Sequence, residues 1–379
     1  MSTPGSPLRR STPAHDVVVA YPPHADATSH AFASHVGIAQ RISALKHCEF
    51  AGAYEPRRTY RGRVYFVASE TIVGTTAREL GIHGADDLFG GVVPEAFVAT
   101  KVITHPLPGE GARAPAGWST AFAQGVRDVV LAGFAAFSVD DARDGGARLL
   151  RHGPVRVKRP LGIGGRGQVV VTDLGELEAV LATIRDELEE TGIVLEENLS
   201  EVRTYSVGQI EIGHLRATYY GTQRTTRDNT GNEVYGGSDL VVARGDFDAL
   251  FGADPELPAD ARTAIGCACI YDRVAHAAFT GFFASRRNYD VAHGRDAHGR
   301  ARCGVLEQSW RIGGASGPEI AALEAFERDP TRTTVRASSM EVYGDSPEPP
   351  PGATLYYRGI DAQVGRLTKY TVIEHADAR

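Results

Sequence analysis

The run Val155-Arg-Val-Lys158-Arg-Pro-Leu-Gly162-Ile-Gly164-Gly165-Arg-Gly167-Gln168-Val-Val-Val171 places four glycines behind a lysine. Apolar residues on both sides predict two strands joined by a glycine hairpin. Such a hairpin can fold bare backbone N–H groups onto phosphate oxygens. A lysine ending the entering strand would aim its ammonium at the same oxygens, and Lys158 is expected near solvent. Neither usual nucleotide template fits. The Walker motif needs Gly-Lys-Ser/Thr opening a helix, and the dinucleotide fingerprint also leads into a helix, whereas a strand follows here. A flexible β-turn without a ligand is the competing reading of these residues.

A second chemical feature is Asn288-Tyr-Asp290-Val-Ala, then the turn-rich His293-Gly-Arg-Asp-Ala-His298-Gly299-Arg300, then Glu307-Gln-Ser309-Trp-Arg311. A turn centred on His298-Gly299 sets Asp290 across from Glu307 and Asn288 across from Ser309. Opposed residues share a face, with Cβ atoms about 4.5–5.5 Å apart. Two carboxylates so placed repel unless a positive group lies between them. Mg²⁺, which favours a few carboxylates plus substrate phosphates, is the natural candidate. Period two adds Ser309 and Arg311 to the Glu307 face. The competing reading is a pair of carboxylates on the wet face of a hairpin. His293 and His298 fall in the turn without partners for zinc.

The elements that must position these groups belong to a chain of 379 residues, 42% hydrophobic and 23% charged. That composition is globular and the length suits two or three domains. A net charge of −7 offers no basic field to nucleic acid or anionic lipid. No apolar run has the length of a membrane span, and Val17-Val18-Val19-Ala20 is too short for a signal peptide, so a cytoplasmic protein is expected. Cys48, Cys267, Cys269 and Cys303 lack metal spacing and read as ordinary thiols. Of the 40 basic residues only Lys46, Lys101, Lys158 and Lys369 are lysines.

Residues 1–14 read as a disordered tail and 15–105 as an α/β domain, with strands at Val17–Tyr21 and Val64–Ala68 and a short helix stopped by Gly81. Residues 106–150 read as a connecting loop and a helix marked by Phe122, Val126, Val129, Val130 and Phe137. Residues 151–200 hold the glycine hairpin, one helix capped by Asp173 and Glu176 and closed by Gly192, and the strand Ile193–Glu197. Residues 201–330 hold antiparallel strands at 204–212 and 215–221, a helix over 257–280, the carboxylate hairpin and a helix over 318–327. Residues 331–379 hold a proline-rich loop and two strands. Arg224, Arg227, Arg286 and Arg287 could hold an anionic substrate or be solvated loop residues. The loop from Tyr235 to Asp239 has no assigned role.

A strand-borne lysine, a glycine hairpin, a capped helix and then Ile193-Val-Leu-Glu196-Glu197-Asn-Leu199 resembles the ATP-grasp superfamily. The whole chain looks closest to an uncharacterised bacterial branch of it. The resemblance implies an α/β chain with an α+β core, in which a Rossmann-like N-terminal domain precedes two α+β lobes that hold ATP between them. It implies that Lys101, Lys158 and Gly162, Gly164, Gly165 and Gly167 face the phosphates. Glu196, Glu197 and Leu199 would form the hinge whose backbone holds adenine. The family's ribose-binding Glu is Arg203 here, which leaves Glu201 as the nearest carboxylate. Glu307-x-Ser309-x-Arg311 matches the family's Glu-x-Asn-x-Arg signature with Ser for Asn. Asp290, Glu307, Ser309 and Asn288 would hold the metal, with Asn288 supplying the missing amide. Lys158 and Arg311 would be catalytic. The implied cofactors are ATP and Mg²⁺. The implied chemistry is a ligase that converts a small-molecule carboxylate to an acyl phosphate for attack by an amine, with no nucleic acid or membrane partner; a homodimer is compatible. An ATP-grasp kinase and a non-catalytic nucleotide-binding protein are the alternatives.

Overall fold

A computed structural model describes residues 15–22, 28–162, 167–254, 256–345 and 348–374. The tail over 1–14, Gly164 and Gly165 lie outside them. Val17–Tyr21 is the inner strand of a parallel sheet, with Glu49–Ala53 on one side and Val64–Ala68, then Leu88–Phe89, on the other. Its near-continuous apolar strands are what two-sided burial requires.

A second, antiparallel sheet runs Gly133–Ala136, Ile193–Glu197, Val155–Lys158, Gln168–Val171. The segment expected as a connection therefore gives this sheet an edge strand. Phe122 and Val126 mark only the short helix Thr120–Gly125 and its end, and Phe137 follows the strand. The helix after the glycine hairpin starts as expected, with Asp173 Oδ1 accepting from the Glu176 backbone N–H at 2.9 Å. It is broken at Ile184 into Leu174–Thr183 and Arg185–Thr191 before Gly192.

The largest sheet has eight antiparallel strands, in the order Ala301–Ser309, Arg286–Arg295, Ser200–Ile212, Leu215–Arg227, Glu233–Arg244, Thr334–Tyr343, Gly365–Glu374, Thr354–Asp361. Three of these, not two, come from the C-terminal segment. The segments over 221–227 and 235–239 are strand rather than loop, so alternation continues past Gly221. Helix Ala259–Ala278 packs Ile265, Ala268 and Tyr271 into the core beside Tyr289 and Trp310. Helices His30–Leu45 and Ser316–Arg328 share another core with the N-terminal sheet and the large one. Among the described residues no helix is long and apolar enough to cross a membrane.

Candidate active site

The hairpin register is the expected one at the carboxylates: Asp290 opposes Glu307 and Asn288 opposes Ser309. It is reached by two departures that cancel. The turn closes around His298 with Arg295 opposite Ala301, one residue tighter than a turn centred on His298-Gly299, and a bulge at Leu306 restores the register. Without the bulge every side chain beyond it would face the other way. Gln308 and Trp310 are buried between Glu307, Ser309 and Arg311, so alternation holds across the motif.

Asp290 is held by three donors on one oxygen: Ser206 Oγ at 3.1 Å, Gln223 Nε2 at 3.0 Å and Asn288 Nδ2 at 3.1 Å all reach Oδ1. Its Oδ2 accepts no hydrogen bond among the described residues. Burial and the facing Glu307 carboxylate push the Asp290 carboxyl above its ordinary range, against the pull of those donors. Ser206 carries no signal in the sequence, and Gln223 reads there only as a polar group beside Arg224 and Arg227 that could hold an anionic substrate. The signal for Gln223 was the alternation beyond Gly221.

Lys101 supplies the positive charge. Its ammonium forms an ion pair with Glu307 Oε2 and donates to the Gly162 carbonyl at 2.8 Å, while the side chain is buried. It opens the 3₁₀ turn Lys101–Thr104. Gln308 fixes that turn by donating Nε2 to the carbonyls of Val98 (3.1 Å) and Thr100 (2.8 Å). The glycine hairpin and the carboxylate hairpin, far apart in sequence, thus meet on one ammonium. Gly167 ends the described gap with φ +73°, and its carbonyl accepts from the Arg159 backbone N–H at 3.1 Å.

Lys158 departs from expectation. It is not near solvent but buried, with Nζ 2.5 Å from Glu196 Oε1. Glu196 also meets His105 Nε2 at 3.0 Å. His105 Nδ1 is buried without a partner among the described residues, so Nε2 is the nitrogen that donates to the carboxylate. Burial alone would raise the Glu196 carboxyl, but Lys158 and His105 hold it down at about 2.

The hinge strand is paired on both sides. Glu196 opposes Gly133 and Arg156, and the backbone N–H groups of Glu197 and Asn198 donate to Ala132 and Pro154 at 2.8 and 2.9 Å. Glu197 accepts from Arg302 and the Ala132 N–H. Leu199 is buried with Leu131 and Ala292. Glu201 stands on the exposed edge at φ +50°, paired with Arg295 at 3.1 Å.

Arg286 is fully buried and clasps Glu319 (2.7 Å), so it is not a free anion-binding group. It also donates to the carbonyls of Ser309 (3.0 Å) and Arg311 (2.6 Å) and to Ser309 Oγ (3.3 Å). Arg287 is likewise buried, paired with Glu211 at 3.0 Å. Arg224 pairs with Asp239, and Arg227 donates to the Gly231 carbonyl at 2.8 Å. Each of the four thus has a partner within the chain. Tyr235 packs its hydroxyl against Ser238 (2.7 Å) and Gly314. Arg311 makes no ion pair among the described residues. Burial and the neighbouring Arg286 guanidinium pull its pKa below the ordinary arginine value, so an anion placed beside it would be welcome. Asn288 Oδ1 is 2.9 Å from the Tyr219 hydroxyl, so as it stands the amide oxygen faces away from the carboxylates, contrary to expectation.

The two opposed carboxylates, one with an oxygen not hydrogen-bonded among the described residues, suit an oxygen-preferring divalent cation, with which Lys101 would have to share Glu307, while Lys101 and Arg311 suit phosphate oxygens. Among the described residues no group of three or more His, Cys, Asp and Glu gathers as a metal cluster, so the ligands would be completed by other oxygens.

Residues 18–371 match a family described as "Protein of unknown function (DUF3182)", and the chain belongs to it. No curated protein matches the chain in sequence. In structure it is similar to the biotin carboxylase domain of Hydrogenobacter thermophilus 2-oxoglutarate carboxylase, in complex with MgADP, ADP and bicarbonate, at 12% identity and TM-score 0.53 over 96% of this chain and 87% of that one. It is also similar to an ADP complex of N5-carboxyaminoimidazole ribonucleotide synthetase, at 14% identity and TM-score 0.40 over 67% of this chain and 65% of that chain. A third is D-alanine–D-alanine ligase from Bacillus anthracis, at 13% identity and TM-score 0.45 over 83% and 92%. The chain has the ATP-grasp fold.

Proposed function

We propose that the chain is an ATP- and Mg²⁺-dependent ligase that joins a small-molecule carboxylate to an amine. The observation that carries this reading is Lys101, one ammonium touching both the glycine hairpin at Gly162 and the carboxylate hairpin at Glu307. An anion with several phosphates is the ligand that needs both elements at once. The lobe over 151–200 would act as the lid and the lobe over 201–330 as the floor.

The substrate carboxylate oxygen attacks the γ-phosphorus, the bond to the β-phosphate oxygen breaks, and ADP leaves. The amine nitrogen then attacks the acyl phosphate, inorganic phosphate leaves with the C–O bond pair, and the amine gives a proton to solvent. Such chemistry rests on positioning and charge rather than on a nucleophilic side chain. Lys101 and Arg311 would neutralise phosphoryl oxygens, and the backbone at Gly162 and Gly167 would cover them. Lys158 would reach the phosphates only by loosening from Glu196. Asp290 and Glu307 would hold Mg²⁺, which when bound neutralises phosphate charge.

The test is ADP release by the full chain with ATP, Mg²⁺ and pools of carboxylic acids and amines. A ligase releases ADP only when both an acid and an amine are present. Release with hydroxyl compounds alone identifies a kinase, and ATP binding without turnover refutes catalysis.

A further inference from the structure

The hydroxyl of Tyr219 is buried beneath the carboxylate hairpin. It lies 2.6 Å from Glu319 Oε1 and 2.9 Å from Asn288 Oδ1, and both oxygens need it to donate. A phenol carries one proton. Glu319 has the stronger claim. Arg286, permanently charged, clasps this carboxylate through Nε and Nη2. Charge-assisted hydrogen bonds are also shorter and stronger than neutral ones. Asn288 Oδ1 is left facing a hydroxyl oxygen with no proton between them.

Turned half a revolution about its last side-chain bond, the amide occupies the same space and offers Nδ2 to the Tyr219 oxygen. Its own oxygen then stands where Nδ2 was, 3.1 Å from Asp290 Oδ1. Two oxygens at that distance repel unless a cation bridges them. About 3.0 Å is the spacing of neighbouring ligand oxygens on an octahedral Mg²⁺ with bonds of about 2.1 Å. Ser309 is poorly placed for the role, because Arg286 donates to its Oγ at 3.3 Å and sets a fixed positive charge beside it. Gln223 has no such conflict, since its Nε2 meets two ready acceptors, Ser206 Oγ and Asp290 Oδ1, each at 3.0 Å.

We propose that Asn288 is the amide ligand of this metal site: a divalent cation at Asp290 and Glu307 turns the amide so that its oxygen joins Asp290 on the ion and its nitrogen donates to Tyr219. The proposal rests on the ligase reading for the presence of the metal. Asn288 is one of four asparagines in the chain, which makes it addressable by labelling.

The experiment uses full-length protein carrying ¹³C at the asparagine side-chain carbonyl, with ADP and Mn²⁺ in place of Mg²⁺, examined by electron–nuclear double resonance. A ¹³C coupling of a directly bound carbonyl is expected in the wild type and is absent in Asn288→Ala. Asn288→Ala raises the Mn²⁺ dissociation constant about tenfold or more, with ADP affinity in EDTA unchanged, and Ser309→Ala leaves Mn²⁺ binding as it is. Bound Mn²⁺ without that coupling in the wild type overturns the proposal and leaves the ligase reading standing, a result that needs no variant to fold. No Mn²⁺ bound to the ADP complex overturns both.

Discussion

Replacing Lys158 by Met keeps most of the side chain's bulk and removes its charge from a buried carboxylate. In the wild type Glu196 is held at about 2 against an ordinary 4.5. At neutral pH that difference stabilises the folded chain by about 3 kcal/mol. A depressed carboxyl contributes this stability above its unfolded pKa and loses it as pH falls through the folded one, here between about 4.5 and about 2. Breaking a buried ion pair from one side costs about 3–5 kcal/mol, which agrees. In Lys158→Met only His105 remains to hold Glu196, so burial wins and the carboxyl rises. The sign then reverses, and the variant regains relative stability as acid protonates Glu196. The assay is urea unfolding read by tryptophan fluorescence, since Trp118 packs edge-on against Phe137 beside the lid sheet. The variant should lose about 3–5 kcal/mol at pH 7, with the gap narrowing as pH falls, first above about 4.5 while the variant's raised carboxyl protonates and then from about 4.5 to about 2 as the wild type loses its share. An unchanged midpoint at pH 7, or a gap that stays constant down to pH 3, would refute the buried-pair account.

Three further outcomes are expected. Lys101→Met should lower ADP affinity about tenfold or more in the presence of Mg²⁺, by about the free energy of one charge-assisted contact, measured by calorimetric titration; unchanged affinity would separate Lys101 from the nucleotide. Glu307→Gln keeps the hairpin and its register, so circular dichroism should match wild type while Mg²⁺-dependent ATP turnover is lost; turnover that survives would remove Glu307 from the metal site. Gly221→Ala would put a Cβ 2.0 Å from the Asp239 carbonyl oxygen, a backbone atom that cannot swing aside, so scanning calorimetry should show a loss of about 1–3 kcal/mol or more; an unshifted transition would mean that the two strands separate more readily than their pairing implies.

The strands that carry the chemistry were legible because they are short, apolar and bounded by glycine or turn residues. Val155–Lys158 and Ile193–Glu197 fall where alternation puts them. The opposition of Asp290 and Glu307 was legible through pairing arithmetic, although the bulge at Leu306 was not. A bulge leaves no mark in a hydrophobic pattern when the residue it inserts is itself apolar. Burial of Lys158 was not legible either. Lys158, Glu196 and His105 come from three separate segments, and only their tertiary meeting turns a solvent-facing ammonium into a sealed pair. Composition gave no warning, because a charged residue on a strand is normally exposed.

In the sequence Ser309 is a departure from a signature, Arg286 a candidate for holding an anion, and Glu319 carries no signal of its own. In the folded chain they are one unit. Arg286 fills the space beneath the strand end, takes the carbonyls on both sides of Trp310 and donates to the Ser309 hydroxyl through Nη1 at 3.3 Å, while its other nitrogens hold Glu319. If the site holds Mg²⁺ as proposed, an amide ligand would come from the opposing strand, where Asn288 stands across from Ser309 and two residues from Asp290.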